Sequence, residues 1–145
     1  MTSYAHHGRC HCGNIDYDFV TSKPVTEFAV RQCGCTYCTK QRARYVADPS
    51  GELRITYADE DQVGRYRFGQ KTADFIFCAR CGVAPFVLCE TEGQFFGIIN
   101  TNSLDEADRV PAPEAPHDFD DEDSGDRLAR RRKNWIGRVI INSAT

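Results

Sequence analysis

Seven of the eight cysteines fall into three tight groups, and the grouping is uneven. Cys10 and Cys12 form a C-x-C, Cys33, Cys35 and Cys38 form a C-x-C-x-x-C, and Cys78 and Cys81 form a C-x-x-C. The two pairs together supply the four thiolates of a closed tetrahedral zinc site, which would tie an early strand to a late hairpin. Gly13 and Gly82 follow the last cysteine of each pair, where glycine tolerates positive φ and lets backbone N–H groups turn toward sulfur. The triplet supplies only three ligands. Structural zinc sites are closed, whereas catalytic ones keep a position for water or substrate. Four plus three therefore predicts one site that holds the fold and another that does chemistry. Three accounts of the triplet stay open: a substrate atom or water takes the fourth position; a distant residue such as Cys89, His11 or His117 closes it; or the triplet holds no metal and serves thiol redox chemistry.

The choice of metal over disulfides rests on the rest of the chain. A length of 145 residues suits one domain with a modest core, small enough for metal staples to matter. Hydrophobic residues make up 41% and charged residues 27%, as in a soluble globular protein. No apolar run approaches a membrane span, and the first residues lack a basic start followed by an apolar stretch. The expected setting is the reducing cytoplasm, where clustered cysteines read as metal ligands. A net charge of −3 gives no footprint for nucleic acid, and no membrane partner is expected.

Most of the chain reads as strand. Ile15, Tyr17 and Phe19 alternate with Asp16 and Asp18, and Leu53, Ile55 and Tyr57 repeat the pattern, the period of a half-buried strand. Tyr66-Arg67-Phe68-Gly69 reads as a strand end and turn, and Phe75-Ile76-Phe77 runs into Cys78. Phe86-Val87-Leu88 and Phe95-Phe96-Gly97-Ile98-Ile99 are short aromatic and β-branched runs. Asp48-Pro49-Ser50-Gly51 is a turn. The fold class is thus mainly β. His6 and His7 are placed in a frayed terminus, His11 points away from the metal, and Cys89 is a small buried hydrophobe in an apolar run.

Composition shifts after Leu104. The body is expected over 1–109, and a proline and acidic loop with a basic tail over 110–145, packing on the same domain. Six acids lie between Asp118 and Asp126, and six bases follow, Arg127, Arg130, Arg131, Arg132, Lys133 and Arg138. A loop is expected over 110–124, then a short helix with Asp126 or Ser124 near its N-cap. Trp135, Ile136, Val139, Ile140 and Ile141 form a tail that docks back on the body.

The three motifs resemble, in this order, the glutathione-dependent formaldehyde-activating enzyme family, which includes centromere protein V. They read Gly8-Arg9-Cys10-His11-Cys12-Gly13, then Cys33-Gly34-Cys35-Thr36-Tyr37-Cys38-Thr39-Lys40, then Phe77-Cys78-Ala79-Arg80-Cys81-Gly82-Val83-Ala84-Pro85-Phe86. Tyr66-Arg67-Phe68-Gly69 and Asn100, shortly before Leu104-Asp105, fit as well, so the likeness spans 8–105. It implies a tent-like zinc-stabilised fold of antiparallel sheets, to which this chain's own pattern adds a short C-terminal helix or arm. It implies a structural zinc on Cys10, Cys12, Cys78 and Cys81 and a second, labile zinc on Cys33, Cys35 and Cys38, two per chain. The family's name-giving activity joins glutathione and formaldehyde into S-hydroxymethylglutathione, a carbon–sulfur lyase reaction. The chain departs at Ser103, where relatives often carry cysteine, and in its acidic-basic arm.

The expected function is accordingly a zinc-dependent carbon–sulfur lyase acting on a glutathione and small-aldehyde adduct or a related thiol and carbonyl pair. Cys33, Cys35 and Cys38 are its catalytic residues, holding a substrate thiol or polarising a carbonyl through the metal. Tyr37, Lys40, Arg42 and Arg44 lie near the triplet in sequence, and arginine suits glutathione's carboxylates. The rival readings are a non-catalytic zinc module that binds protein or nucleic acid through Arg130-Arg131-Arg132-Lys133, and a thiol redox sensor.

Overall fold

The computed structural model describes residues 3–113 and 123–143. In chain order these form β1 (Tyr4–Arg9), β2 (Ile15–Thr21), α1 (Thr36–Gln41), β3 (Tyr45–Val46), β4 (Glu52–Tyr57), β5 (Val63–Tyr66), β6 (Asp74–Cys78), β7 (Phe86–Thr91), β8 (Gln94–Asn100), α2 (Ser124–Asn134) and β9 (Arg138–Ser143), with short 3-10 turns between them. One sheet runs β1-β2-β4-β9 and the other β3-β8-β7-β6-β5. Every pairing is antiparallel except β4 with β9. The fold is mainly β, as the alternating patterns predict.

The period-2 strands interlock as their side chains require. Ile15, Tyr17 and Phe19 stand opposite Tyr57, Ile55 and Leu53, and all six are buried. They meet Ile76, Phe86, Leu88 and Ile99 of the second sheet in one core. Each such side chain removed from water contributes roughly 1.5–3 kcal/mol before entropy is counted. On β7 the alternation divides two cores. Phe86 and Leu88 face the first sheet, while Val87 and Cys89 join Phe96, Ile98, Tyr45 and Trp135 in a second cluster. The second sheet is therefore buried on both faces, and its outer face carries α1 and α2 with the cysteine triplet.

One expectation changes, that of a frayed terminus at His6 and His7. Tyr4–Arg9 is a full edge strand, with His7 opposite Asp18 and Gly8 opposite Tyr17. His6 is buried against Phe28 and Phe19, and His7 is held between two carboxylates. Side-chain anchoring and the ladder order a segment that carries no apolar pattern. The N-cap of α2 is Asp123, whose side chain accepts from the Asp126 N–H at 2.7 Å, so Ser124 and Asp126 both lie in the first turn beside the cap, as expected. The acids Asp118, Asp120, Asp121 and Glu122, and His117, lie outside the described residues. The turn at Asp48 closes through the Gly51 N–H on the Asp48 carbonyl at 2.8 Å.

The tail docks by pairing with both sheets. Gly97 and Ile136 exchange backbone hydrogen bonds at 3.1 and 2.8 Å. Beyond Gly137, β9 adds to the edge of β4, with Ile141 beside Ile55. Trp135 and Ile136 are fully covered.

Candidate metal centre

The tips of β1 and β6 bring Cys10, Cys12, Cys78 and Cys81 together, with all four sulfurs within 4.8 Å of one another. The Cys10 and Cys12 sulfurs are 3.8 Å apart, and those of Cys12 and Cys78 3.5 Å. A tetrahedron of zinc–sulfur bonds near 2.3 Å sets its sulfurs about 3.8 Å apart, so the donor set fits that ion. Both pairs sit on tight turns that end in a glycine, closed by the Gly13 N–H on the Cys10 carbonyl at 3.2 Å and the Gly82 N–H on the Cys78 carbonyl at 2.8 Å. Gly13 has φ 86° and Gly82 φ 80°. The Ile15 N–H donates to the Cys10 sulfur at 3.2 Å. Burial above all pushes the Cys10 thiol up to about 12. Cys81 goes the other way: burial opposes ionisation, but the N–H groups of Val83 and Cys12 and the thiols of Cys78 and Cys10 hold it at about 6.

The triplet is built around the start of α1. Cys35 is the N-cap, and its sulfur accepts from the Cys38 N–H at 3.4 Å. Cys38 lies one turn on and reaches the hydroxyl of Tyr45 at 3.4 Å. The sulfurs of Cys33, Cys35 and Cys38 also lie within 4.8 Å of one another. Among the described residues no fourth cysteine, histidine or carboxylate joins them. Cys89 is instead 3.6 Å from Nη1 of Arg131, and His11 is exposed. The neighbouring Cys33 thiol, with burial, pushes Cys38 well above the ordinary thiol range, and burial raises Cys35. None of the eight cysteines is in a disulfide.

The two groups differ most in their surroundings. Cys33, Cys35 and Cys38 line a cavity of about 440 Å³, within the range of small-molecule sites. Tyr45, Phe68, Phe75, Val87, Ile98 and Trp135 give it apolar walls, and Arg31, Arg127, Arg130 and Arg131 give it charge. The four-cysteine group contributes nothing to this cavity.

The residues expected to bind substrate do not line it. Arg42 caps α1 in the left-handed conformation at φ 53°, and the chain then folds back so that Ala43 and Tyr45, not Arg42 or Arg44, lie against Cys38. Lys40 and Arg42 are exposed, and Arg44 donates from Nε to Oδ1 of Asn102 at 2.9 Å. Tyr37 packs among Tyr66, Phe68 and Phe75. Closeness along the chain thus misplaces the basic wall, which comes from Arg31 and from α2. The signal in the sequence was the spacing of Arg127, Arg130 and Arg131, which sets them on one helical face.

Turns, sulfur groups and order along the chain all agree with one sequence profile, that of the glutathione-dependent formaldehyde-activating enzyme, which matches residues 5–121. The chain belongs to that family. A crystal structure of a protein from Rhodobacter sphaeroides is similar in fold, with 24% identity, a TM-score of 0.54, and coverage of 68% of this chain and 87% of that one. The family is associated with glutathione and formaldehyde, and its two cysteine groups in this chain could each hold a metal ion. The family segment contains every clustered cysteine and stops short of α2. No helix among the described residues is long and apolar enough to cross a membrane.

Proposed function

We propose that the chain is a two-zinc enzyme of the carbon–sulfur lyase type, joining a small thiol to formaldehyde or a related small aldehyde. Glutathione is the thiol that the family name supplies. Cys10, Cys12, Cys78 and Cys81 hold the structural ion. Cys33, Cys35 and Cys38 hold the catalytic one, which when bound supplies a position for a thiol sulfur or a carbonyl oxygen. One observation carries the reading: the incomplete set of three sulfurs lines a substrate-sized cavity, and the complete set of four does not.

The chain's own side chains have simple tasks in this reaction. The apolar walls exclude water from the reacting carbon and sulfur. The cavity holds thiol and aldehyde together, which is the main gain for an addition that is already easy in water. Three thiolates donate much charge to a metal, so holding a substrate thiol in its ionised form suits this donor set better than activating water.

The test is zinc per monomer by elemental analysis on anaerobically purified protein, before and after dialysis against excess glutathione. Two zincs falling to one support a thiol-accessible ion at the triplet, and glutathione with formaldehyde is then assayed directly. A single zinc from the outset, with no change on dialysis, removes the metal-centred reaction.

A further inference from the structure

The segment that leads into the triplet carries a half-buried cation. Arg31 and Cys33 are two positions apart in extended chain, so their side chains leave on the same side. Both line the cavity. Among the described residues the Arg31 guanidinium meets no carboxylate and makes no side-chain hydrogen bond.

The root of this side chain is fixed. The Arg31 N–H donates to the Tyr45 carbonyl and the Tyr45 N–H to the Arg31 carbonyl, both at 2.8 Å. The Tyr45 hydroxyl in turn lies 3.4 Å from the Cys38 sulfur. Tyr45 therefore holds Arg31 and the innermost sulfur of the triplet in one relation. Burial above all, and then repulsion from Arg130, disfavour the Arg31 cation, while the charge of Cys33 favours it. A guanidinium keeps its charge against such opposition. The negative partner that Arg31 feels is thus a sulfur of the triplet.

This charge sits where the reaction makes one of opposite sign. Three thiolates outweigh a divalent ion, so the site is negative even when loaded. When a thiolate adds to an aldehyde, its lone pair forms the carbon–sulfur bond and the carbonyl π pair moves onto oxygen. The alkoxide so formed takes a proton from water. We propose that Arg31 is a catalytic residue whose guanidinium meets the aldehyde oxygen as that oxygen becomes an alkoxide. The inference rests on the thiol–aldehyde reading of the triplet and adds to it the group that stabilises the growing charge. A donor already in place when charge develops costs no reorganisation at that moment. Because the interaction strengthens only as the charge grows, it lowers the barrier and leaves substrate binding unchanged.

The experiment uses full-length protein as purified, with its zinc counted, in two arms. The first needs no turnover. Alkylation of Cys33 by iodoacetate, an anion, and by iodoacetamide, its neutral counterpart, is followed by peptide mass spectrometry. A cation beside Cys33 favours the anionic reagent. The ratio of the two rates should fall about fivefold in Arg31→Gln, the scale of one unit charge a few ångströms away in water, and should be kept in Arg31→Lys. The second arm is steady-state kinetics with glutathione and formaldehyde. Arg31→Gln should lower kcat by about 100-fold or more with KM for both substrates little changed, and Arg31→Lys should recover part of the loss. Melting temperatures should agree across the three proteins, since the side chain bonds to nothing among the described residues. A raised KM at unchanged kcat overturns the proposal, because it makes Arg31 a group that only binds the thiol. An alkylation ratio that ignores Arg31 overturns it as well. Turnover indifferent to Arg31 sinks this role and keeps the reaction, whereas no turnover by the wild type sinks both.

Discussion

The hydroxyl of Tyr45 lies 3.4 Å from the sulfur of Cys38, at the inner end of the triplet. Burial first, and the charge of Cys38 second, hold the Tyr45 phenol well above its ordinary pKa, so it keeps its proton and donates. Such outer partners fix a ligand's orientation and spread its charge. Tyr45→Phe preserves the ring that packs beside Val87 and Ile98 and removes only the donor. It should weaken zinc at the triplet by about tenfold, with no change at the four-cysteine group. Competition against a coloured chelator, which resolves a weak and a tight ion, checks this.

The two groups should separate in melting experiments. Cys12 and Cys81 join the tips of β1 and β6, so losing either releases distant segments. Cys12→Ser or Cys81→Ser should cost several kcal/mol, on the order of 10 °C or more for a domain of this size. Cys35→Ser should cost a few degrees and abolish activity. Equal losses in both classes would remove the division between a structural and a chemical site.

Metal loading should release protons. Cys10, held up to about 12 by burial, and the raised thiols of Cys35 and Cys38 are protonated at neutral pH before an ion arrives. Those protons leave on binding, so affinity at both groups rises as pH rises. Calorimetric titration in two buffers of different ionisation heat gives the number released. A buffer-independent heat contradicts this.

His7 is a pH-dependent clasp between strands. Its Nδ1 is 2.7 Å from Asp105 and its Nε2 2.8 Å from Asp16, and these two hydrogen bonds, Asp105 first, raise its pKa above 6.5. A raised folded pKa gives stability that is fully present below the unfolded value and is lost as pH rises through the folded one. The gap in urea midpoint between wild type and His7→Gln should therefore be widest below about pH 6.5 and close above the folded pKa. A gap that widens toward alkaline pH would contradict the sign.

Tyr17 tolerates little change around it. Its buried hydroxyl is 2.7 Å from that of Ser103, which in turn donates to the Asn100 carbonyl at 2.8 Å. Ser103→Ala strands the phenol and should cost about 1–3 kcal/mol in denaturant unfolding. Gly8→Ala should cost at least as much, since a Cβ there would stand 2.3 Å from the same oxygen.

Much of this architecture was readable in one dimension, for definite reasons. Ile15, Tyr17, Phe19, Leu53, Ile55 and Tyr57 announce their strands because one face of each is dry and the other wet. The sulfur groups announce themselves because ligand spacing is local. Strand β1 was not legible: Tyr-Ala-His-His-Gly-Arg has no alternation, and its order comes from a partner strand and from carboxylates at positions 16 and 105. The cavity was not legible either, because its walls come from β6, β7, β8, α2 and the triplet. Lys40, Arg42 and Arg44 drew attention by proximity, but Lys40 and Arg42 are exposed and Arg44 turns to Asn102, while Ala43 and Tyr45 from the same stretch face the triplet.

The parallel pairing of β9 with β4 also sets an order of events during synthesis. The four-cysteine group is complete once Cys81 has left the ribosome, so an ion can fasten β1 to β6 while the remainder is still being made. The arginine-bearing wall cannot be seated until Ile136 has met Gly97 and β9 has met β4. A nascent chain thus presents all four of these cysteines before α2 and β9 exist, and the cavity beside Cys33, Cys35 and Cys38 is the last part of the structure to be walled.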